Sequence, residues 1–395
     1  MGPVAVDPAV AWRSVSGLAR DAPPAGRRVT AGPLTELLRR RIRLTGPIAI
    51  ADFMAEALGH PDHGYYMTRD PFGARGDFTT APEISQMFGE LIGLWCAEIW
   101  RTGIAPRPVH LVELGPGRGT LMADALRAAR MEPEFLAAAS IHLVETSPVL
   151  TGMQRQTLAG HNVQWHAALE EVPDGPILLI ANEFFDALPI RQFERTGEGW
   201  RERMVGLDED GETFRMGLAP GATAGEALIP ETVRRAAGKG EIAEISPAGL
   251  SIARAIGERI AGHGGAALIV DYGHAASATG DSLQALSGHK RHDPLQDPGE
   301  ADLTAHVDFA AIAVAAREGG AITHGPIPQG EFLTRLGIET RTAQLLAKAT
   351  KDQAADIETA CARLIDKEQM GYLFKAMAIT PPVAAAPPAF EETTS

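Results

Sequence analysis

Three short stretches bring together residue types able to do chemistry: Glu113-Leu-Gly-Pro-Gly-Arg-Gly-Thr120, Asn182-Glu-Phe-Phe-Asp186 and Asp271-Tyr-Gly-His274. In the first, Gly115, Gly117 and Gly119 allow a sharp backbone turn and the close approach of a ligand. The spacing is G-x-G-x-G, one residue short of the dinucleotide fingerprint G-x-G-x-x-G, and Glu113 stands two positions before the first glycine. A carboxylate there repels a pyrophosphate but accepts hydrogen bonds from an amino acid's ammonium group. S-adenosylmethionine carries such a group and no phosphate, so Glu113, the three glycines and Thr120 are read as a turn that binds this cofactor. Glu145 closes a second apolar strand, where an acid can take both ribose hydroxyls of an adenosine. Helix capping is its plainer role, since Thr146-Ser-Pro148 opens a helix.

The second stretch follows Ile177-Leu-Leu-Ile-Ala181, a continuous apolar run suited to a parallel strand covered on both faces. Ligands of open α/β sheets bind at the carboxyl ends of such strands. Asn182 is expected at the cofactor. Glu183 and Asp186, beside two phenylalanines, form an acidic pair able to hold a cation and take a proton. A helix N-terminus with favourable charges is the competing reading. Asp271 and His274 end a further buried strand, Ala267-Leu-Ile-Val270, and join His306 and the loop residue Asp77 as candidate substrate contacts. His60 and His63 share a loop without a third ligand, so no metal is expected.

The elements that must position these groups read as α/β. Strands are expected at 111–114, 141–145, 163–166, 177–181, 267–270 and 373–379. Helices are expected from Leu34, over 50–58, from a Thr80/Glu83 capping box through Ile99, after Gly119, over 247–262 and over 307–317 with Asp308 as N-cap. Residues 200–217 read as a hairpin outside the main sheet, turning at Asp208-Glu-Asp-Gly211, and 221–240 as loose chain. Residues 275–303 lack periodicity, as a lid, a binding loop or a disordered segment would. The expected division is a flexible arm over 1–32, with a transit peptide as its rival, and a helical region over 33–105. A cofactor-binding domain follows over 106–195 and 241–380, with an insertion over 196–240 and a disordered tail over 381–395. The chain has 395 residues, two distant cysteines, no apolar run of membrane-spanning length and a net charge of -14. That balance argues against nucleic acid and suits a basic peptide.

With these residues in view, the sequence resembles the MidA family of class I S-adenosylmethionine-dependent methyltransferases. The resemblance rests on Gly76-Asp-Phe-Thr-Thr-Ala-Pro-Glu-Ile-Ser-Gln86, Val112-Glu-Leu-Gly-Pro-Gly-Arg-Gly-Thr120, Asn182-Glu-Phe-Phe-Asp-Ala-Leu-Pro189, Asp271-Tyr-Gly-His274 and Thr304-Ala-His-Val-Asp-Phe309, and covers roughly residues 33–380. It implies a Rossmann-like methyltransferase sheet with an N-terminal helical region and an inserted β-hairpin and helical substrate-binding region. It also implies methyl transfer to a protein arginine, since the family includes a mitochondrial complex I assembly factor with that activity. The matching location is the mitochondrial matrix in a eukaryote and the cytoplasm in a bacterium. The partner is an arginine-bearing protein segment, and a homodimer is an open option. Glu183 and Asp186 as the catalytic pair follow from position alone. Two rival functions stand beside this one. A nicotinamide-dependent oxidoreductase would need the absent glycine spacing; a non-catalytic assembly chaperone would keep the cofactor site without turnover.

Overall fold

The computed structural model describes residues 13–14, 31–69 and 80–391, and the chain divides into two compact units. The candidate chemistry lies in the unit formed by Arg69–Ala187, Ala248–Ala276 and His306–Ser395. Its strands are β1 (Val109–Leu114), β2 (Ala139–Val144), β3 (Val163–His166), β4 (Ile177–Asn182), β5 (Gly265–His274), β6 (Ile322–Pro328) and β7 (Phe374–Thr380). The sheet order is β3-β2-β1-β4-β5-β7-β6, with Val307–Asp308 added on β5. Strands β3, β2, β1, β4 and β5 pair in parallel, while β7 runs antiparallel to both β5 and β6. Chain connection reverses direction between β1 and β4, which puts a ligand crevice at their carboxyl ends. All six residues of β4 are buried, as a strand covered on both faces requires.

Helices α1 (Gln86–Ile99), α2 (Thr120–Ala128), α3 (Pro148–Thr157), α4 (Pro247–His263) and α5 (Phe309–Glu318) belong to the layers around this sheet. α1 and α2 touch backbone to backbone: a Cβ on Gly93 would lie 2.5 Å from the Ala125 carbonyl oxygen. Asp308 caps α5, its carboxylate accepting from the Ala311 N–H. Two helix-rich stretches went unread in the sequence, Gln329–Leu346 and Lys351–Ile365, and β6 was missed with them. The expected disordered tail is also corrected over its described part. Phe390 is buried with its ring 5.5 Å from that of Phe332, and Trp95 Nε1 donates to the Pro388 carbonyl at 3.1 Å. Apolar contact and a buried indole donor tie down a segment whose prolines suggest loose chain.

The other unit comprises Met1–Thr68, Leu188–Pro247 and Ser277–Ala305. The expected hairpin is there, as Gly199–Leu207 and Phe214–Leu218, but it sits in a wider antiparallel sheet with Arg191–Thr196 and Ile242–Ile245. The expected helical region 33–105 is therefore divided. Helices Pro33–Thr45 and Ile50–Gly59 share a core with Ile190, Val205, Ala285 and Leu303, whereas α1 belongs to the first unit. The arginines of the first helix are largely paired, Arg39 and Arg43 with Glu212 and Arg41 with Asp52 and Glu56. Residues 224–236 are not loose: they form a short 3-10 turn and a helix that bury Ile229 and Val233. Residues 275–303 are corrected as well. Gln284–Ser287, Lys290–His292 and Asp302–Thr304 make a three-stranded antiparallel sheet. Asp281 of this stretch is bonded to Gln192 and to the buried Arg203. Cross-strand pairing and an ion pair to one buried arginine supply the order that side-chain periodicity does not announce.

Candidate active site

β1 carries Glu113 into the sheet's carboxyl end, and the turn that follows is held by backbone geometry only glycine adopts readily. Gly115, Gly117 and Gly119 have φ of 58°, 53° and 81°. The Gly115 N–H donates to the Val144 carbonyl at 3.0 Å, and the Phe184 ring lies so close that a Cβ on Gly115 would stand 2.8 Å from it. The turn lines a cleft together with Glu83, Glu113, Thr120, Asn182 and Glu183. Glu113 is 3% exposed, and its Oε2 has no hydrogen-bond partner among the described residues. Burial raises its pKa to about 8, against the pull of the Met122 N–H. Asn182 is 8% exposed; its Nδ2 donates to Glu183 Oε1 at 3.2 Å, and its buried Oδ1 likewise lacks a partner among the described residues. Two unfilled acceptors beside a bare glycine backbone suit a ligand rich in N–H and O–H groups. They do not suit a phosphate.

At the end of β4 the chain turns through Glu183, whose φ of 49° puts a non-glycine residue in the left-handed region, a conformation costing about 1 kcal/mol or more. Glu183 Oε1 accepts from the Ala81 N–H at 2.9 Å. Burial raises Glu183 to about 7, helped by the charge of Asp186 and opposed by the Ala81 N–H. Asp186, 6% exposed, is pushed up to about 6 by burial, while a hydrogen bond from Tyr272 draws it down. The two acids thus stand close together in a poorly solvated place, each holding a proton more tightly than an exposed carboxyl would.

Asp271 was expected to face a substrate and does not. It is fully buried, and its Oδ2 accepts from the N–H groups of Phe184 (3.2 Å), Phe185 (3.0 Å) and Asp186 (3.3 Å). Its Oδ1 accepts from the Tyr272 N–H at 2.9 Å. Burial and the neighbouring Asp186 and Glu183 charges raise its pKa, and the N–H groups oppose them. Nearby, His274 Nδ1 lies 2.8 Å from the Ala276 carbonyl, and the His306 ring meets Tyr272 edge to face at 5.5 Å. Burial lowers the His306 pKa, and His274 and Lys375 add to the effect. Asp77 lies outside the described residues.

The expected Thr80/Glu83 capping box is not formed. Thr80 makes no side-chain cap bond, the helix it opens is only Ala81–Ile84, and Ser85 caps α1 by accepting from the Met87 N–H. Glu83 turns instead to the glycine turn, where Thr120 Oγ1 donates to its Oε1 at 2.6 Å and Arg118 Nη1 lies 3.4 Å from its Oε2. Glu83 and Arg118 are the cleft residues that sequence reasoning passed over, because T-x-x-E before an apolar run reads as a cap. Glu145 stands just past β2 but is not among the residues lining the cleft. Its oxygens accept from the Ser147 N–H at 2.7 Å, from Gln154 Nε2 at 3.1 Å and from the Thr146 N–H, while the helix itself is capped by the Ser147 hydroxyl. Three bonds leave the carboxylate part of its accepting capacity. Among the described residues no cluster of three or more histidine, cysteine, aspartate or glutamate side chains could hold a metal, and no helix is long and apolar enough to cross a membrane.

The model of a protein family described as "Putative S-adenosyl-L-methionine-dependent methyltransferase" matches residues 91–327. The chain is 40% identical over 388 residues to a Drosophila melanogaster protein, covering 90% of this chain and 86% of that one. That relative is named protein arginine methyltransferase NDUFAF7 homolog, mitochondrial. A Mus musculus protein, protein arginine methyltransferase NDUFAF7, mitochondrial, is 40% identical over 396 residues, covering 94% of this chain and 89% of that one. Among solved structures, a Burkholderia thailandensis protein bound to S-adenosyl-homocysteine matches with a TM-score of 0.78 at 29% identity, covering 91% of this chain and 94% of that one.

Proposed function

Because the chain belongs to this family of S-adenosyl-L-methionine-dependent methyltransferases, we propose that it methylates arginine in a partner protein, with Glu183 and Asp186 as the acids that receive the guanidinium. The observation that carries the reading is the pairing of those two buried acids with a cleft containing two unfilled acceptors, Glu113 Oε2 and Asn182 Oδ1. The cofactor, when bound, supplies an electrophilic methyl group on a sulfonium. Glu113 would take its ammonium group, Asn182 Oδ1 would accept a second N–H or O–H, and the 115–120 turn would lie along it with bare backbone. Glu145 would accept the ribose hydroxyls through the accepting capacity its three present bonds leave. Glu83 would fix the turn through its bonds with Thr120 and Arg118.

On the acceptor side the chain's task is alignment and proton management. Arginine stays protonated in proteins, so its lone pair is spread over the guanidinium. Two carboxylates can grip that group through parallel charge-assisted bonds and localise its charge away from the attacking nitrogen. Arrival of the cation favours the ionised forms of Glu183 and Asp186. The nitrogen sheds one proton as it gains the methyl group, and Glu183, with its elevated pKa, is suited to receive it. Alignment of the reacting atoms is worth many powers of ten in rate, so small displacements of the pair should be costly. The reading includes a respiratory-complex subunit as acceptor, the role implied by the family resemblance, and places the chain in the mitochondrial matrix of a eukaryote or the cytoplasm of a bacterium. The test is incubation with methyl-labelled cofactor and a lysate of the source organism, then hydrolysis of the labelled protein. Label in methylarginine supports the reading; label only in other residues rejects it.

A further inference from the structure

Three consecutive backbone N–H groups, those of Phe184, Phe185 and Asp186, converge on one oxygen of Asp271. Successive N–H groups converge in this way in a tight turn, and the concavity they form attracts an electron-rich acceptor. Glu183, in the left-handed region, stands immediately before this turn. The acceptor is supplied from β5, by a carboxyl group with no access to solvent. We infer that Asp271 is a positioning residue: by filling this concavity it holds the 184–186 backbone and so fixes where the Glu183 and Asp186 carboxyls stand at either end of that turn. This rests on the reading of Glu183 and Asp186 as the acids of methyl transfer.

Glu183 is anchored at its own N–H by the Val270 carbonyl and at its carboxylate by the Ala81 N–H, but the chain that leaves it depends on Asp271. With the concavity unfilled, the 184–186 turn would loosen and the strained φ of 49° would bring the two carboxyls out of register. Asp271 also accepts from Tyr272 N–H, so the same carboxylate ties the end of β5 to the turn after β4. The glycine turn takes no part in these bonds. Loss of Asp271 should therefore disturb the acidic pair more than the cofactor cleft, which meets this turn only at Asn182, Glu183 and the Phe184 ring.

The experiment uses the full-length protein and the variants Asp271→Ala and Asp271→Asn. Asp271→Ala should lower single-turnover methylation by about a hundredfold, the scale of a misplaced catalytic group, with cofactor affinity changed only a few-fold. Asp271→Asn should recover part of the loss, because its carbonyl oxygen can still accept from the three N–H groups. Added formate should raise the Asp271→Ala rate by supplying the missing anion. Amide hydrogen exchange should quicken in peptide 182–189 in Asp271→Ala and change far less in peptide 120–128. Equal losses of cofactor affinity and methylation, or wild-type exchange in peptide 182–189, would overturn the inference. Should Asp271→Ala fail to fold, Asp271→Asn decides, since unchanged methylation and exchange in that variant contradict positioning. A wild-type protein that methylates no arginine defeats the functional reading, while the exchange measurement still reports on Asp271.

Discussion

Glu113→Gln should make the unliganded protein more stable toward high pH and at the same time spoil its cofactor site. Glu113 is buried, and its carboxyl titrates at about 8 where an exposed one titrates at 4.5. A group whose pKa is raised on folding contributes its full share of stability below the unfolded value, and loses that share as pH rises through the folded value. For Glu113 the window is therefore 4.5 to about 8. At about 1.4 kcal/mol for each pH unit, the full gap corresponds to roughly 5 kcal/mol. Relaxation of the site should reduce this to about 2–4 kcal/mol. The substituted glutamine does not titrate, so the variant's stability advantage over wild type should grow by that amount across the same window. Denaturant unfolding at a series of pH values measures it.

Binding should move the other way. On the proposed assignment the cofactor's ammonium needs an ionised Glu113, and with a pKa of about 8 only about a tenth of the unliganded protein has one at pH 7. Wild-type affinity should rise several-fold, up to about tenfold, as pH climbs from 7 through the Glu113 pKa and then level off, with proton release seen calorimetrically. The variant, lacking a charge-assisted bond worth ~1.5–3 kcal/mol, should bind about ten- to a hundredfold more weakly at pH 8 and show no such rise. A variant that binds as tightly as wild type at pH 8, with a stability gap that ignores pH, would refute the assignment of Glu113 to the ammonium.

Three further outcomes are expected. The single-turnover rate should climb about tenfold from pH 6 to 7 and flatten above pH 8, because on the proposed mechanism the pair at about 7 and about 6 must ionise to hold the guanidinium; a flat profile would contradict that mechanism. Gly115→Ala combines a strained φ of 58° with a Cβ 2.8 Å from the Phe184 ring, so calorimetry should show at least about tenfold weaker cofactor binding. Phe390→Ala should cost about 2–4 kcal/mol of stability through the space left beside Phe332, with cofactor affinity unchanged; an unaltered unfolding midpoint would show that the tail contact adds nothing.

Much of the methyltransferase unit was legible because buried parallel strands leave a plain mark. The run 177–181 and the glycine turn after Leu114 declare a strand, a turn and a helix, and β4 and α2 are found there. The strand-end rule likewise brought Glu113, Asn182 and Glu183 to one cleft. What stayed hidden depends on direction and partners. Whether Asp271 points to the crevice or into the protein cannot be read from its neighbours, since its Oδ2 is held by backbone 85 to 87 residues away. Glu83 fits a capping pattern yet serves Thr120, a partner 37 residues on. Residues 284–304 and 387–390 are ordered by cross-strand pairing and by Trp95 and Phe332, none of which local periodicity reports.

The central claim is that Glu183 receives the acceptor's charge and proton. Glu183→Gln keeps the size of the side chain and an oxygen for the Ala81 N–H, but removes the charge. Single-turnover methylation of the acceptor protein at saturating cofactor should then fall by roughly two orders of magnitude or more, with cofactor affinity within a few-fold of wild type. Asp186→Asn should behave alike, and the double variant should be little worse than either single. Methylation by Glu183→Gln at the wild-type rate would contradict the account.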